Sequence, residues 1–167
     1  MVVSLIACNS DARLFKKAKE NFDLGEYEWA IRDVKPLADK NYRSAETNYL
    51  VAESYRLSNR IQFAGPYYQI AKEKGYIDPL ISFHLAYAAK ATGNYVETKK
   101  YLQEFIGTKP SREWSVKAEI ELENLPSVEE YSKKPSPLKI QNVLGNSKEA
   151  EFGPIKVEIG RASCRER

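Results

Sequence analysis

The chain of 167 residues has one histidine, His84, and two cysteines, Cys8 and Cys164, at opposite ends. That scarcity excludes a zinc site of the Cys/His kind, because no second His or Cys lies at ligand spacing. It also gives little ground for a disulfide framework. No apolar run approaches the roughly 20 residues that span a bilayer. No glycine-rich phosphate loop and no nucleophile-elbow motif occurs. The net charge of +3 is mild and the signs alternate along the chain. No concentrated basic face of the kind that binds nucleic acid is present. His84 stands between Phe83 and Leu85 in a helical stretch, which reads as a packed or half-exposed residue and not as a ligand or base. Acidic residues such as Glu119 and Glu121 alternate with apolar ones and read as a solvated helix face. No enzyme and no cofactor are expected.

What the chain has is a period. Leu24-Gly25-Glu26-Tyr27-Glu28-Trp29-Ala30 returns as Thr92-Gly93-Asn94-Tyr95-Val96-Glu97-Thr98. Gly25 and Gly93 lie twice 34 positions apart, and Asn59 falls midway. Gly and Asn best tolerate a left-handed turn between helices. The same step links Ala18, Ala52 and Ala86, then Ala30, Ala64 and Thr98. It links Val34, Tyr68 and Leu102, and Leu37, Ala71 and Phe105. Small side chains fall where helices cross closely and large ones where neighbouring repeats must fill space, as a solenoid requires. On this period the chain resembles the tetratricopeptide family over about 100 residues. The implied fold is all-α: an α-solenoid of three helix-turn-helix repeats plus a capping helix, with disordered ends.

The repeats fall at roughly 11–44, 45–78 and 79–110, within a domain of 11–125. Their helices are expected over 11–23 and 27–40, 45–57 and 62–74, and 79–91 and 95–106. Ser10 or Asp11 is the expected first N-cap, and Asp78-Pro79 opens the third repeat. Pro36 should bend the second helix or start it afresh. Gly75 and Gly107 are the expected stops. A seventh helix over 111–124, capped by Ser111, presents Trp114, Ala118, Leu122 and Leu125 on one stripe. Glu113, Lys117, Glu119, Glu121 and Glu123 should face away. Such a helix covers the last exposed apolar face.

The family lines its concave groove with the first helix of each repeat, so its functional residues are carried over by the period. The candidates are Phe15, Tyr49 and Phe83, then Lys19, Glu53 and Tyr87, then Phe22, Arg56 and Lys90. An aromatic row flanked by charges suits a protein or peptide partner. The alternative is that these aromatics are packing between repeats. The repeated Lys/Asn pattern of chaperone-tail clamps is absent, so no particular peptide is implied.

The ends carry further expectations. Residues 1–8, closing on Leu5-Ile6-Ala7-Cys8, resemble a truncated lipoprotein signal whose lipidated residue is Cys8. The alternative is a buried N-terminal strand or a disordered leader. An acyl anchor there implies a membrane partner. With Asp11 the single acid close behind, the acidic cluster that resembles a surface-export signal of Bacteroidota lipoproteins is absent, and the resemblance then implies an outer-membrane lipoprotein on the periplasmic face. Residues 126–137 read as a linker rich in Pro, Ser, Lys and Glu. Residues 138–157, with Asn142-Val143-Leu144-Gly145 and Glu151-Phe152-Gly153-Pro154, resemble the start of a WD-type β-propeller. That strand should be unpaired when cut off. Residues 158–167, ending Ile159-Gly160-Arg161-Ala162-Ser163-Cys164-Arg165-Glu166-Arg167, are similar to a translated sequencing adapter.

Taken together, the arrangement resembles the N-terminal part of an OmpA-family envelope lipoprotein of Bacteroidota. The resemblance implies a non-catalytic scaffold linking a type IX secretion or gliding machine to peptidoglycan, which a C-terminal domain missing here would grip. The alternatives are a stand-alone periplasmic tetratricopeptide adaptor and a glycan-capture lipoprotein of the SusD type. The unbroken period argues against the last.

Overall fold

The period becomes geometry at the turns. Gly25, Asn59 and Gly93 take φ of 80°, 58° and 75°, the left-handed conformation that the spacing implies. A second left-handed set lies between the repeats, 34 positions apart again, at Asn41, Gly75 and Lys109 with φ of 58°, 82° and 54°. One of those three is a lysine, so residue type alone does not reveal the set.

The computed structural model describes the backbone of residues 3–134, 155–156 and 162–163, and the side chains of residues 10–134. The chain divides into two compact units, Met1–Lys133 and Lys134–Arg167. The first unit holds seven α-helices: α1 Val3–Asp23, α2 Tyr27–Asp39, α3 Ser44–Leu57, α4 Gly65–Glu73, α5 Ile81–Ala91, α6 Tyr95–Gly107 and α7 Arg112–Ser132. A 3-10 turn, Ile61–Phe63, precedes α4. In the second unit, strands β1 Ile155–Lys156 and β2 Ala162–Ser163 pair antiparallel, Ile155 opposite Ser163.

Each helix packs chiefly against the next, and α1 also meets α3. All twelve positions named by the 34-residue step are buried, none more than 1% exposed. They fall into successive cores. Ala18, Val34 and Leu37 of the first repeat close against Leu50 and Val51 of the second. Ala52, Ala64, Tyr68 and Ala71 close against Ile81 and Leu85 of the third. Phe83, Ala86, Leu102 and Phe105 close against Ala118 of α7. Each core needs the first helix of the following repeat, which is how a solenoid buries apolar surface. The fold is an α-solenoid of three tetratricopeptide-type repeats with a capping helix.

Several boundaries differ from the sequence-based expectation. The N-terminal end is helical from Val3, not from 11, and Ser10 and Asp11 lie inside α1. No Gly or Pro precedes Leu24 to stop the helix, and Leu, Ile and Ala propagate it readily. Asp11 instead accepts from Lys40 Nζ at 3.4 Å. Pro36 neither breaks nor restarts α2. Its missing N–H frees the carbonyl of residue 32, and both residues are exposed, so water can satisfy it. Pro66 sits in the first turn of α4, where proline costs least. Asp78 is not the cap of α5, which begins only at Ile81 after Leu80 with no side-chain cap bond; its Oδ1 accepts from Leu80 N at 2.8 Å and closes a turn ahead of the helix. Gly107 is the last residue of α6, and the left-handed exit is Lys109. Ser111 precedes α7 with no side-chain cap bond.

The largest extension is at α7, which runs through Pro126 to Ser132 and takes in 126–132 of the expected linker. Its buried stripe is as expected, with Ala118 at 0% and Leu125 at 5% exposure. Glu121, expected to face away, turns inward: it accepts from Tyr87 Oη at 2.7 Å and pairs with Lys90 at 2.5 Å. β1 falls at the end of the segment read as a propeller start, whose expected strand at 138–147 lies outside the described residues. The side chain of Cys8, residues 135–154 and Cys164 lie outside the described residues.

Candidate peptide-binding cleft

The groove residues divide into three fates. Phe15, Lys19 and Phe22 on α1 meet Tyr49 on α3 around one cleft of about 440 Å³. Ala12, Lys16, Asp23, Arg43, Glu46, Leu50 and Tyr76 complete its lining. The volume lies within the range of sites that hold ligands or inserted side chains. Tyr49 forms a rigid wall. It stacks on Tyr76 with ring centroids 4.0 Å apart and 17° between planes. Its hydroxyl donates to Asp78 at 2.7 Å. Burial, then that hydrogen bond, pushes the Tyr49 phenol well above its ordinary range, so it stays neutral. At the rim, the Arg43 guanidinium lies 4.8 Å from the Phe15 ring centroid and donates to Glu46 at 2.8 Å. That hydrogen bond holds Glu46 below the ordinary carboxylate value. Lys16 reaches Glu20 at 3.7 Å with both groups well exposed, a contact worth little in water. Among the described residues Lys19 has no ion-pair partner.

Glu53 and Arg56, the second set, are engaged internally. Glu53 is 7% exposed, and Arg56 donates to both its oxygens, at 2.9 and 2.6 Å. Tyr68 of α4 donates a further hydrogen bond to Glu53. Burial raises the Glu53 carboxyl, but the bonds from Arg56 and Tyr68 outweigh it and leave it below its ordinary value. His84 stacks on Tyr68 with centroids 5.6 Å apart. Burial, then the nearby Arg56 charge, lowers its pKa. His84 is therefore a half-buried neutral ring against an ion pair.

The third set is covered. Phe83 is 6% exposed and packs against Tyr87, Phe105 and Trp114, the last edge-on at 5.2 Å. Tyr87 and Lys90 are both held by Glu121 of α7. Among the described residues, the step between the first two repeats leaves Phe22 and Tyr49 facing an open cleft, with Phe15, 7% exposed and part of the core, at its floor.

The period alone does not reveal Ala12, Arg43, Glu46 or Tyr76. One signal for Tyr76 was present. Tyr42 and Tyr76 each follow a left-handed residue, 34 positions apart, and each packs on the first-helix aromatic of its own repeat. Among the described residues no group of His, Cys, Asp and Glu could hold a metal ion, and no helix is long and apolar enough to cross a membrane.

No family model matches the chain, and no curated protein does. Solved structures do. The chain is similar to the Yersinia enterocolitica type III secretion chaperone SycD in complex with a peptide of the translocator YopD, at 20% identity and a TM-score of 0.56. That match covers 71% of this chain and 94% of that one. A second structure of the translocator chaperone SycD matches at 21% identity and 0.56, over 71% and 85%. An alternative SycD dimer matches at 19% and 0.53, over 75% and 96%. At these identities the likeness shows the helical-repeat fold.

Proposed function

We propose that this chain is a non-catalytic scaffold whose α1–α3 cleft takes a peptide segment of a partner protein. The observation that carries the reading is the cleft itself. Aromatics from two repeats surround a space of about 440 Å³, and one of them, Tyr49, is locked in place before any ligand arrives. Preorganised aromatics bind at low entropic cost. That SycD, of similar fold, was crystallised with a peptide of its translocator supports the same use here. A photo-crosslinking residue in place of Lys19, in cells of the source organism, should capture a defined partner protein. Capture of nothing from Lys19, alongside capture from exposed positions on α2, α4 and α6, would refute the cleft as the site.

The cellular setting belongs to the same proposal. The scaffold is the N-terminal part of an outer-membrane lipoprotein anchored through Cys8 on the periplasmic face. Its parent links a secretion or gliding machine to peptidoglycan through a further C-terminal domain. Leu5-Ile6-Ala7-Cys8 and the 138–157 segment support this reading. A Cys8→Ser change should move the parent protein from the membrane to the soluble fraction, and this chain alone should not co-sediment with peptidoglycan. Equal membrane recovery of the Cys8→Ser protein would remove the anchor from the account.

A further inference from the structure

The charges around the cleft are not evenly committed. Of its two carboxylates, Glu46 is already bound by Arg43. Of its cations, Lys19 is without a partner among the described residues, and Lys16 has only the loose, exposed contact to Glu20. Both lysines sit on α1 beside the apolar wall formed by Phe15, Phe22 and Tyr49. Asp23, the other carboxylate, lies one helical turn beyond Lys19. The cations at the groove positions of α3 and α5 are consumed, as is Lys72 of α4. Lys90 is held by Glu121, Arg56 by Glu53, and Lys72 by Glu104.

We infer that the cleft recognises a peptide bearing a bulky apolar anchor, aromatic or leucine, next to a carboxylate. This rests on the peptide-binding reading above and specifies its ligand. The anchor enters between Phe15, Phe22 and Tyr49, where burial of an apolar side chain supplies the affinity. The adjacent carboxylate meets Lys19, and Lys16 reinforces the field. The charge contact sets which peptides are accepted and how fast they arrive more than how tightly they bind. Basic segments are rejected because Lys16 and Lys19 repel them along α1.

The test is selection of random dodecapeptides displayed on phage against the full chain, followed by binding of the selected peptides to three proteins. These are the unchanged chain, Lys19→Glu, and Ala12→Trp, which fills the cleft from an exposed position without touching the core. The expected result is enrichment of Phe, Trp, Tyr or Leu beside Asp or Glu. Ala12→Trp should abolish binding, and Lys19→Glu should weaken it about fivefold, the scale of one exposed charge pair. Selection against Lys19→Glu should lose the acidic preference. Peptides blocked by Ala12→Trp but basic, or indifferent to Lys19→Glu, would overturn the acidic-anchor inference and keep the peptide cleft. Absence of enriched peptides, or peptides unaffected by Ala12→Trp, would overturn both.

Discussion

The first and third steps of the solenoid are built from the same template and end in opposite states. Phe15 and Phe83 occupy one position of the period, as do Lys19 and Tyr87. Between α1 and α3, Phe22 and Tyr49 border open space above a Phe15 that is itself 7% exposed, and Lys19 is uncommitted. Between α5 and α7, Trp114 packs on Phe83, and Glu121 engages both Tyr87 and Lys90. The difference comes from the next helix. Tyr49, the aromatic that α3 sets beside α1, is held back by Tyr76 and Asp78. α7 brings a tryptophan and a glutamate forward. A repeat position therefore states where a side chain stands and leaves open whether it is free to bind.

This contrast predicts that equivalent substitutions do different things at the two ends. The largest effect is expected at Phe83→Ala, which removes a buried ring contacting four other rings and should cost about 3–5 kcal/mol in denaturant unfolding. Loss of binding with unchanged stability would instead make Phe83 a groove residue, against the closed-end account. Next, Ala52→Leu or Ala86→Leu overfills a crossing that has 0% exposure and should cost about 1–3 kcal/mol. An unaltered midpoint would place the repeat register elsewhere.

A smaller effect should appear with acid. Burial, then Arg56, holds His84 below its ordinary value of 6.5, so the folded chain binds that proton less readily than the unfolded one. The resulting contribution is present above pH 6.5 and is lost as pH falls through the folded value. Glu53, lowered from 4.5, acts the same way only at more acidic pH. Stability should thus decline from pH 6.5 towards 4.5, and His84→Gln should flatten that slope. A slope identical in the variant would assign the decline to other groups. The smallest change is expected at Lys19→Glu, within about 0.5 kcal/mol of the unchanged chain, because the residue is exposed and unpaired. A larger loss would show that the open end carries structure as well as binding.

Much of the fold was legible because the solenoid repeats its physics. Twelve core positions and three turn residues follow from one step of 34. The second turn set was hidden by Lys109, whose side chain gives no hint of a left-handed backbone. α1 and α7 exceeded their expected ends for a shared reason. The local sequence permits helix, and neither a composition shift nor a lone proline at 126 is enough to stop one. α7 also departs from the step. Counting on from Ala86 reaches Ile120, which is 50% exposed, whereas the buried alanine is Ala118. That two-residue shift is invisible to a period counted from earlier repeats.

The site was less legible than the fold. Phe15, Lys19, Phe22 and Tyr49, which the period sets together, line one cleft. The period could not foresee that Tyr68, from a second helix, would join Arg56 in holding Glu53. Pairing across helices depends on side-chain reach and not on spacing along one strand of the pattern. The same holds for Glu121, whose neighbours Glu119 and Glu123 remain exposed.

The central claim is that binding is confined to the open step between α1 and α3. Amide chemical-shift mapping of the full chain with a selected peptide tests it most directly. Shifts gathered in residues 12–23, 43–50 and 76, with α5 to α7 silent, are the predicted result. Shifts centred on α5 to α7, or spread over the second helices of the repeats, α2, α4 and α6, would contradict it.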